Sequence, residues 1–197
     1  RPAPGFIIAA GQFDEAALIQ QLEDGLQGVL PGTAPGPQVA FPQVPAAENK
    51  LVPIPMPGQV QSALRLGHPA PPRLHPDYHG MRLLNTLLGG YFGSRLMSNI
   101  REEKGYTYGI GSGWLGMRHA GYFVVGTEVG NDYVTPTLQE VVKEIRRLQD
   151  APVPTEELET ARNYLLGSTL GNLETPMQQA DRLKHQLVMG LPEDDLP

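Results

Sequence analysis

One arginine and two tyrosines lie close together around residue 105, and their types suit the binding of a carbonyl or carboxylate group. Arg101 falls near the end of a predicted helix, where the helix C-terminus favours a positive charge. Tyr106 and Tyr108 begin the strand that follows, and alternate strand residues share one face. The spacing therefore predicts a guanidinium and a phenol held in a fixed relation. The alternative is a structural corner, in which Arg101 pairs with a nearby carboxylate and Tyr108 packs over the core edge.

The five histidines do not form a pattern that favours a metal site. His75 and His79 are four residues apart, a spacing that on one helix could bring two imidazoles to a metal. Pro76 makes His75 a helix-entry residue, however, and no glutamate lies between the two histidines to act as a general base. The sequence contains no cysteine, which excludes disulfides, thiolate nucleophiles and cysteine-ligated zinc. We therefore predict no metal site in this chain, and ordinary surface positions for His119 and His185.

Adjacent carboxylates and a glycine-rich stretch also fall short of catalytic patterns. Glu102-Glu103 and Glu156-Glu157 are neighbours on predicted helices, where successive side chains diverge by roughly 100° and do not form an acid–base pair. The stretch 109–113, with three glycines, lies inside a predicted strand, whereas a phosphate-binding loop precedes a helix. These glycines instead indicate a close backbone approach or a bulge.

A glycine joint is the element that must position Arg101 and the tyrosines. Gly89, Gly90 and Gly93 separate two predicted helices, and glycine permits a positive φ or the close approach of another segment. Ser94 is a favourable N-cap for the second helix, and Gly105 ends that helix. We interpret the three glycines as a hinge or joint.

Hydrophobic spacing predicts the remaining elements and an α+β fold with helices on one face of a mostly antiparallel or mixed sheet. The predicted strands include an apolar run at 6–10, a segment at 59–66 and an antiparallel pair at 106–114 and 122–129. Residues 31–57 are rich in proline and glycine and are expected to form a long connection. The predicted helices cover residues 14–30, 81–88, 136–148, 155–168 and 175–189.

Composition indicates a globular chain with an acidic balance. The 197 residues are 40% hydrophobic and 18% charged, and the net charge is -6. This balance argues against nucleic acid and anionic membranes as partners, because both bind clustered lysine and arginine. The first and last residues resemble linker and a cut end, so we expect a fragment of a longer protein. The bacterial periplasm and the cytoplasm both stay open as compartments.

The ordered series from residue 89 to residue 108 resembles a known family of enzymes. Its leucine-Gly-Gly, Ser-Arg-Leu and Ile-Arg-Glu segments, followed by a tyrosine seven positions after the arginine, are similar to the C-terminal half-domain of the pitrilysin/insulinase zinc peptidases. That family includes the mitochondrial processing peptidases and bacterial relatives. The matching positions are Gly89, Gly90, Ser94, Arg95, Leu96, Arg101, Glu102 and Tyr108. The resemblance extends along nearly all of residues 1–197, which it implies are one half-domain.

This resemblance implies a function that the chain performs together with another half. The family's catalytic half carries His-x-x-Glu-His, which this sequence lacks, so zinc is expected in a partner half-domain or subunit. By resemblance, Arg101 and Tyr108 would bind peptide substrate near the scissile carbonyl inside a closed chamber. Tyr106 is a substitute for Tyr108, since alternate strand residues share a face. A homodimer of the isolated domain is a further possibility. Two alternatives stay open: an inert scaffold or interaction subunit of the same family, and an independent small-ligand-binding domain.

Overall fold

A computed structural model describes residues 5–27, 50–192 and 195. Most of the predicted connection at 31–57 lies outside these residues, and its described part, 50–57, contains no helix or strand. No helix in the described ranges is both long and apolar enough to cross a membrane. In chain order the elements are α1 Glu15–Leu26, β1 Gln61–Ala70, α2 Tyr78–Asn85, a π-turn Thr86–Gly90, a π-helix Met97–Glu103, β2 Thr107–Gly116, β3 Gly121–Gly130, a 3₁₀ turn Asn131–Tyr133, α3 Val134–Asp150, α4 Thr155–Gly171 and α5 Pro176–Met189.

The three strands form an antiparallel sheet in the order β1-β3-β2, so the predicted α+β architecture is confirmed. The predicted hairpin of β2 and β3 is confirmed as well. Helical side chains cover one face of this sheet and form the core with it. That core consists of Leu88, Leu96, Ile100 and Val141 from the helical segments and Ile110 and Val125 from the strands.

Two strand predictions need correction. Residues 6–10 are not a strand, and Phe6 and Ile7 are 48% and 60% exposed. An apolar run forms a strand only where a neighbour accepts its backbone hydrogen bonds, and this segment pairs with neither edge of the described sheet. The strand predicted at 59–66 instead runs to Ala70, through Pro69. Because β1 is an edge strand, its proline loses no hydrogen bond that the sheet needs.

The helix caps follow the sequence signals in part. Asp14 accepts a hydrogen bond from the Ala17 amide at 2.8 Å, and Thr175 forms a capping box with Gln178. Ser94 precedes a helical segment as predicted, and its carbonyl accepts from the Ser98 amide, but its buried hydroxyl has no hydrogen-bond partner among the described residues. Thr155, which the sequence predicts as a cap, is the first residue of α4 instead.

Candidate functional site

The corner between the π-helix and β2 holds the residues that the sequence singled out. Arg101 lies in the last turn of the π-helix, where the exposed carbonyl ends of the helix favour its charge. Gly105 adopts a φ of +67°, a left-handed conformation that glycine takes without strain, and so ends the helix. Strand β2 starts two residues later, at Thr107. The chain thus reverses tightly enough to bring Tyr108 back beside Arg101.

Arg101 lies between two exposed aromatic rings. Its guanidinium carbon is 4.6 Å from the ring centroid of Phe92 and 5.6 Å from that of Tyr108. Tyr108 is 92% exposed and Phe92 is 62% exposed. The nearest carboxylate contact of Arg101 is a loose one with Glu102, at 3.8 Å. The guanidinium is therefore oriented by ring contacts and keeps most of its donors available for a ligand.

Phe92 is a site residue that sequence reasoning missed. It lies between Gly90 and Gly93, in the joint where glycines drew attention and the aromatic residue did not. Its exposure and its contact with Arg101 are properties of the folded structure, so residue spacing gives no signal for it. Its ring limits the positions that the Arg101 side chain can take.

Tyr106 and Tyr108 do not share the environment that strand alternation predicts. Tyr106 precedes β2, packs against the core cluster and stacks on Tyr133 with ring centroids 4.8 Å apart. A register shift between Thr107 and Ile110 interrupts the alternation. The Thr107 hydroxyl lies within hydrogen-bond distance of the carbonyls of Gly109 and Glu128, at 2.9 and 2.7 Å, and accepts from the Gly109 amide at 3.1 Å, which fixes this bulge. Among the described residues Tyr106 is therefore held by ring stacking and Tyr108 is not, and Tyr106 as a substitute for Tyr108 stays a prediction.

Gly89 lets the first helical segment approach β2 closely. A Cβ built at Gly89 would lie 2.6 Å from the backbone nitrogen of Ser112, a distance that real side chains do not reach. Asn85 and Ser112 exchange side-chain hydrogen bonds to each other's carbonyls across the same contact, at 3.3 and 3.4 Å. Gly90 and Gly93 have tighter than usual surroundings but, like Gly89, no positive φ. The joint is thus a place of close packing, and its motion as a hinge stays a prediction.

Polar and charged side chains in and before the π-helix hold it to neighbouring helices. Arg95 donates two hydrogen bonds to Glu157 of α4, at 2.7 and 2.9 Å, and these bonds raise the pKa of the Arg95 guanidinium. Asn99 donates to Glu140 and to the buried Glu144 of α3, at 2.8 and 2.7 Å. The bond from Asn99 is the main cause that lowers the pKa of the Glu140 carboxyl. These pairs fasten the helix that carries Arg101 to α3 and α4.

The described residues offer no set of ligands for a metal ion. No three histidine, aspartate or glutamate side chains of this part of the chain converge on one point. His75 lies 3.9 Å from Asp77, and His79 lies 3.4 Å from Asp195, so the two histidines contact different carboxylates. The described residues therefore do not fit a catalytic zinc.

A shallow cavity of about 640 Å³ adjoins Tyr108 and extends over the face of the sheet that the helices leave open. Its floor contains the glycines of β2 and β3, and its rim includes Tyr106 and Tyr108. Arg65 and Glu128 bring one positive and one negative charge to it. The part of the floor formed by Gly109, Gly111, Gly113 and Gly126 has no side chains and leaves room for an extended chain to lie on the sheet.

Comparisons with known proteins agree on one kind of domain. Residues 6–165 match the family described as the peptidase M16 inactive domain. A Streptomyces coelicolor protein named as an uncharacterized zinc protease is 28% identical over 195 residues, covering 93% of this chain and 41% of that protein. A Helicobacter pylori protein named as a non-peptidase homolog is 28% identical over 121 residues, covering 60% of this chain and 28% of that protein.

A solved structure supports the same match. The crystal structure of a peptidase M16 inactive domain from Pseudomonas fluorescens is 32% identical and superposes with a TM-score of 0.62, over 68% of this chain and 32% of that chain. The present chain spans less than half the length of the curated relatives that it matches.

Proposed function

Because the chain belongs to the family of the peptidase M16 inactive domain, we propose that it is the zinc-free half of a two-half metallopeptidase and binds the peptide substrate through Arg101 and Tyr108. The observation that carries this proposal is the placement of a partly exposed guanidinium next to an almost fully exposed phenol. Both side chains are donors. Together they suit a peptide carbonyl, whose oxygen becomes negatively charged when the peptide bond is attacked.

The second half supplies the zinc in this proposal and closes a chamber around the peptide. Exposed apolar side chains on α4 and α5 support a protein partner on that side of the domain. The zinc-bearing half-domain or subunit is the first candidate for this partner, and a second copy of this chain is the alternative. These exposed side chains are Tyr164, Leu166 and Leu170 of α4 and Met177, Leu183, Leu187 and Val188 of α5.

The first prediction concerns the metal content of the chain on its own. After dialysis against a weak chelator, the chain should hold no stoichiometric zinc and cleave no peptide, because its described residues provide no set of converging ligands. Elemental analysis measures this directly. One zinc per chain that disappears when His75 or His79 is replaced would show that the metal site lies in this half.

The second prediction concerns Arg101 in the peptidase reconstituted from this chain and the zinc-bearing half. Arg101→Ala should raise KM for a quenched-fluorescent peptide by about tenfold, because a charged hydrogen-bond donor to the substrate is lost. Arg162→Ala is the matched control, since Arg162 also contacts a neighbouring glutamate but lies on α4, away from the corner. An equal rise in KM for the two variants would show that Arg101 does not bind the substrate.

A scaffold role is the second candidate function. It is favoured by the Helicobacter pylori relative, which carries the name of a non-peptidase homolog. The two functions differ in what the corner does. A scaffold would tolerate the loss of Arg101 and Tyr108 without any change in its assembly, whereas a peptidase half would lose turnover.

A further inference from the structure

Arg65 and two glycines lie next to one another on the three neighbouring strands, on the open face of the sheet. Register places Arg65 of β1 opposite Gly126 of β3, and Gly126 opposite Gly111 of β2. Core residues Val125 and Ile110 have the opposite alternation, so this row lies on the face away from the helices. Neither glycine has a positive φ, so the backbone conformation does not require glycine at these two positions. Gly126 leaves the floor beside Arg65 bare, whereas a Cβ at Gly111 would lie 3.3 Å from the Gly89 carbonyl oxygen.

The Arg65 side chain lies flat over Gly126 and is held there by the backbone. A Cβ at Gly126 would be 3.5 Å from Cδ and Nε of Arg65 and 3.6 Å from Cζ. Nη1 donates to the carbonyls of Leu64 and Thr127, at 2.8 and 3.2 Å. Nε and Nη2 have no hydrogen-bond partner among the described residues. One nitrogen thus fixes the guanidinium, and the other two remain as donors for a ligand.

Arg65 and Tyr108 line the same cavity, at opposite edges of the sheet. Two strand spacings separate β1 from β2, which corresponds to about 10 Å. An extended peptide that contacts Tyr108 at one end can therefore reach Arg65 within a few residues. Glu128 also faces this cavity, two residues along β3 from Gly126, and its charge repels an anionic ligand from that part of the floor.

We propose that Arg65 is a further substrate-binding residue, whose free Nε and Nη2 groups donate hydrogen bonds to a carboxylate of the peptide. This inference rests on the proposed function, since it adds a specificity-determining contact to the same peptide-binding surface. Planar carboxylates match the geometry of two parallel guanidinium donors. The carboxylate can belong to an acidic side chain or to the C-terminus of the peptide, and suitable peptides separate the two sources.

Three peptides that differ by one group test this contact in the reconstituted peptidase. One is neutral with an amidated C-terminus, the second has a free C-terminal carboxylate, and the third is amidated with one glutamine replaced by glutamate. We expect one of the two acidic peptides to have a KM about tenfold below that of the neutral peptide, and Arg65→Gln to remove this difference. An unchanged KM ratio in Arg65→Gln would overturn the proposal.

Two control variants sharpen the result. Arg65→Lys keeps the charge and should retain part of the preference for the acidic peptide. Arg162→Ala removes a positive charge from α4, outside the cavity on the sheet, and should keep the wild-type preference. Arg101→Ala, measured with the neutral peptide, reports on the proposed function alone. If Arg101→Ala leaves KM for the neutral peptide unchanged, the proposed peptide-binding role of Arg101 is wrong. If Arg101→Ala raises KM but Arg65→Gln leaves the KM ratio of neutral to acidic peptide unchanged, only the role proposed for Arg65 is wrong.

Binding to the chain by itself gives a second measurement that needs no turnover. In nuclear magnetic resonance spectra, the amide signals of Gly111, Gly113 and Gly126 should move when the acidic peptide is added at millimolar concentration. They should stay in place with the neutral peptide, and with either peptide in the Arg65→Gln variant. Signals that do not move with the acidic peptide, or that move equally with the neutral one, would contradict a carboxylate site at Arg65.

Discussion

Replacing Leu96 with alanine should lower the free energy of unfolding by about 2–5 kcal/mol, the usual range for a leucine removed from a packed core. Leu96 is 0% exposed and belongs to the cluster that joins the helical segments to the sheet. Its Cδ1 lies 3.0 Å from where a Cβ at Gly89 would be, so the joint packs tightly around it. Truncation leaves a cavity that this close-packed neighbourhood fills only in part.

Urea denaturation, monitored by circular dichroism, measures this loss. Leu166→Ala is the matched control, because Leu166 of α4 is 55% exposed and the same truncation there should change stability by less than about 0.5 kcal/mol. Equal losses in the two variants would mean that the π-helix is not anchored through Leu96. The position of Arg101, five residues further along the same helix, would then need another support.

Regular spacing explains why the larger elements could be predicted from the sequence. In α3, apolar residues recur every three or four positions over four turns, and only a helix places them on one side. The hairpin of β2 and β3 combines two runs of strand-forming residues with a short polar connection. The capping box at Thr175 and Gln178 is complete within four residues. Each of these signals is local, so tertiary packing did not have to be known.

Features that depend on distant partners were missed or mistaken. The apolar run at 6–10 has the composition of a strand, but no sheet edge in the described structure pairs with it. Tyr106 belongs to the core because Tyr133, 27 positions along the chain, offers a ring to stack on. Phe92 joins the site only because the joint folds it against Arg101. None of these contacts leaves a trace in residue spacing.

The burial of the charged residue Glu144 could not be predicted from the sequence either. It lies on α3 among residues that read as an ordinary amphipathic helix, yet it is 1% exposed. Its carboxylate accepts from Asn99 and from Arg147, the latter at 3.0 Å. A buried carboxylate is tolerated when such donors satisfy it. Asn99 comes from the π-helix, and only the folded structure reveals that the two helices meet there.

Tyr108→Phe should cut the turnover of the reconstituted peptidase by roughly 10–1000-fold, the range for one lost oxyanion donor or positioning group. The substitution removes one hydroxyl and leaves the ring that contacts Arg101. Because Tyr108 is 92% exposed, its hydroxyl contributes little to folding, and the free energy of unfolding should change by less than about 0.5 kcal/mol. Function and stability should therefore separate at this residue.

The most direct test of the account compares kcat/KM and unfolding free energy for Tyr108→Phe in one preparation of the reconstituted enzyme. Tyr164→Phe is the control, since Tyr164 is 45% exposed, stacks on Tyr91 and lies on α4 away from the corner, and the substitution keeps the apolar ring that a partner would contact. We expect Tyr108→Phe to lose at least about tenfold in kcat/KM per folded molecule at unchanged stability, and Tyr164→Phe to lose nothing. Full activity per folded molecule in Tyr108→Phe, with or without a loss of stability, would contradict a substrate-binding role for this corner.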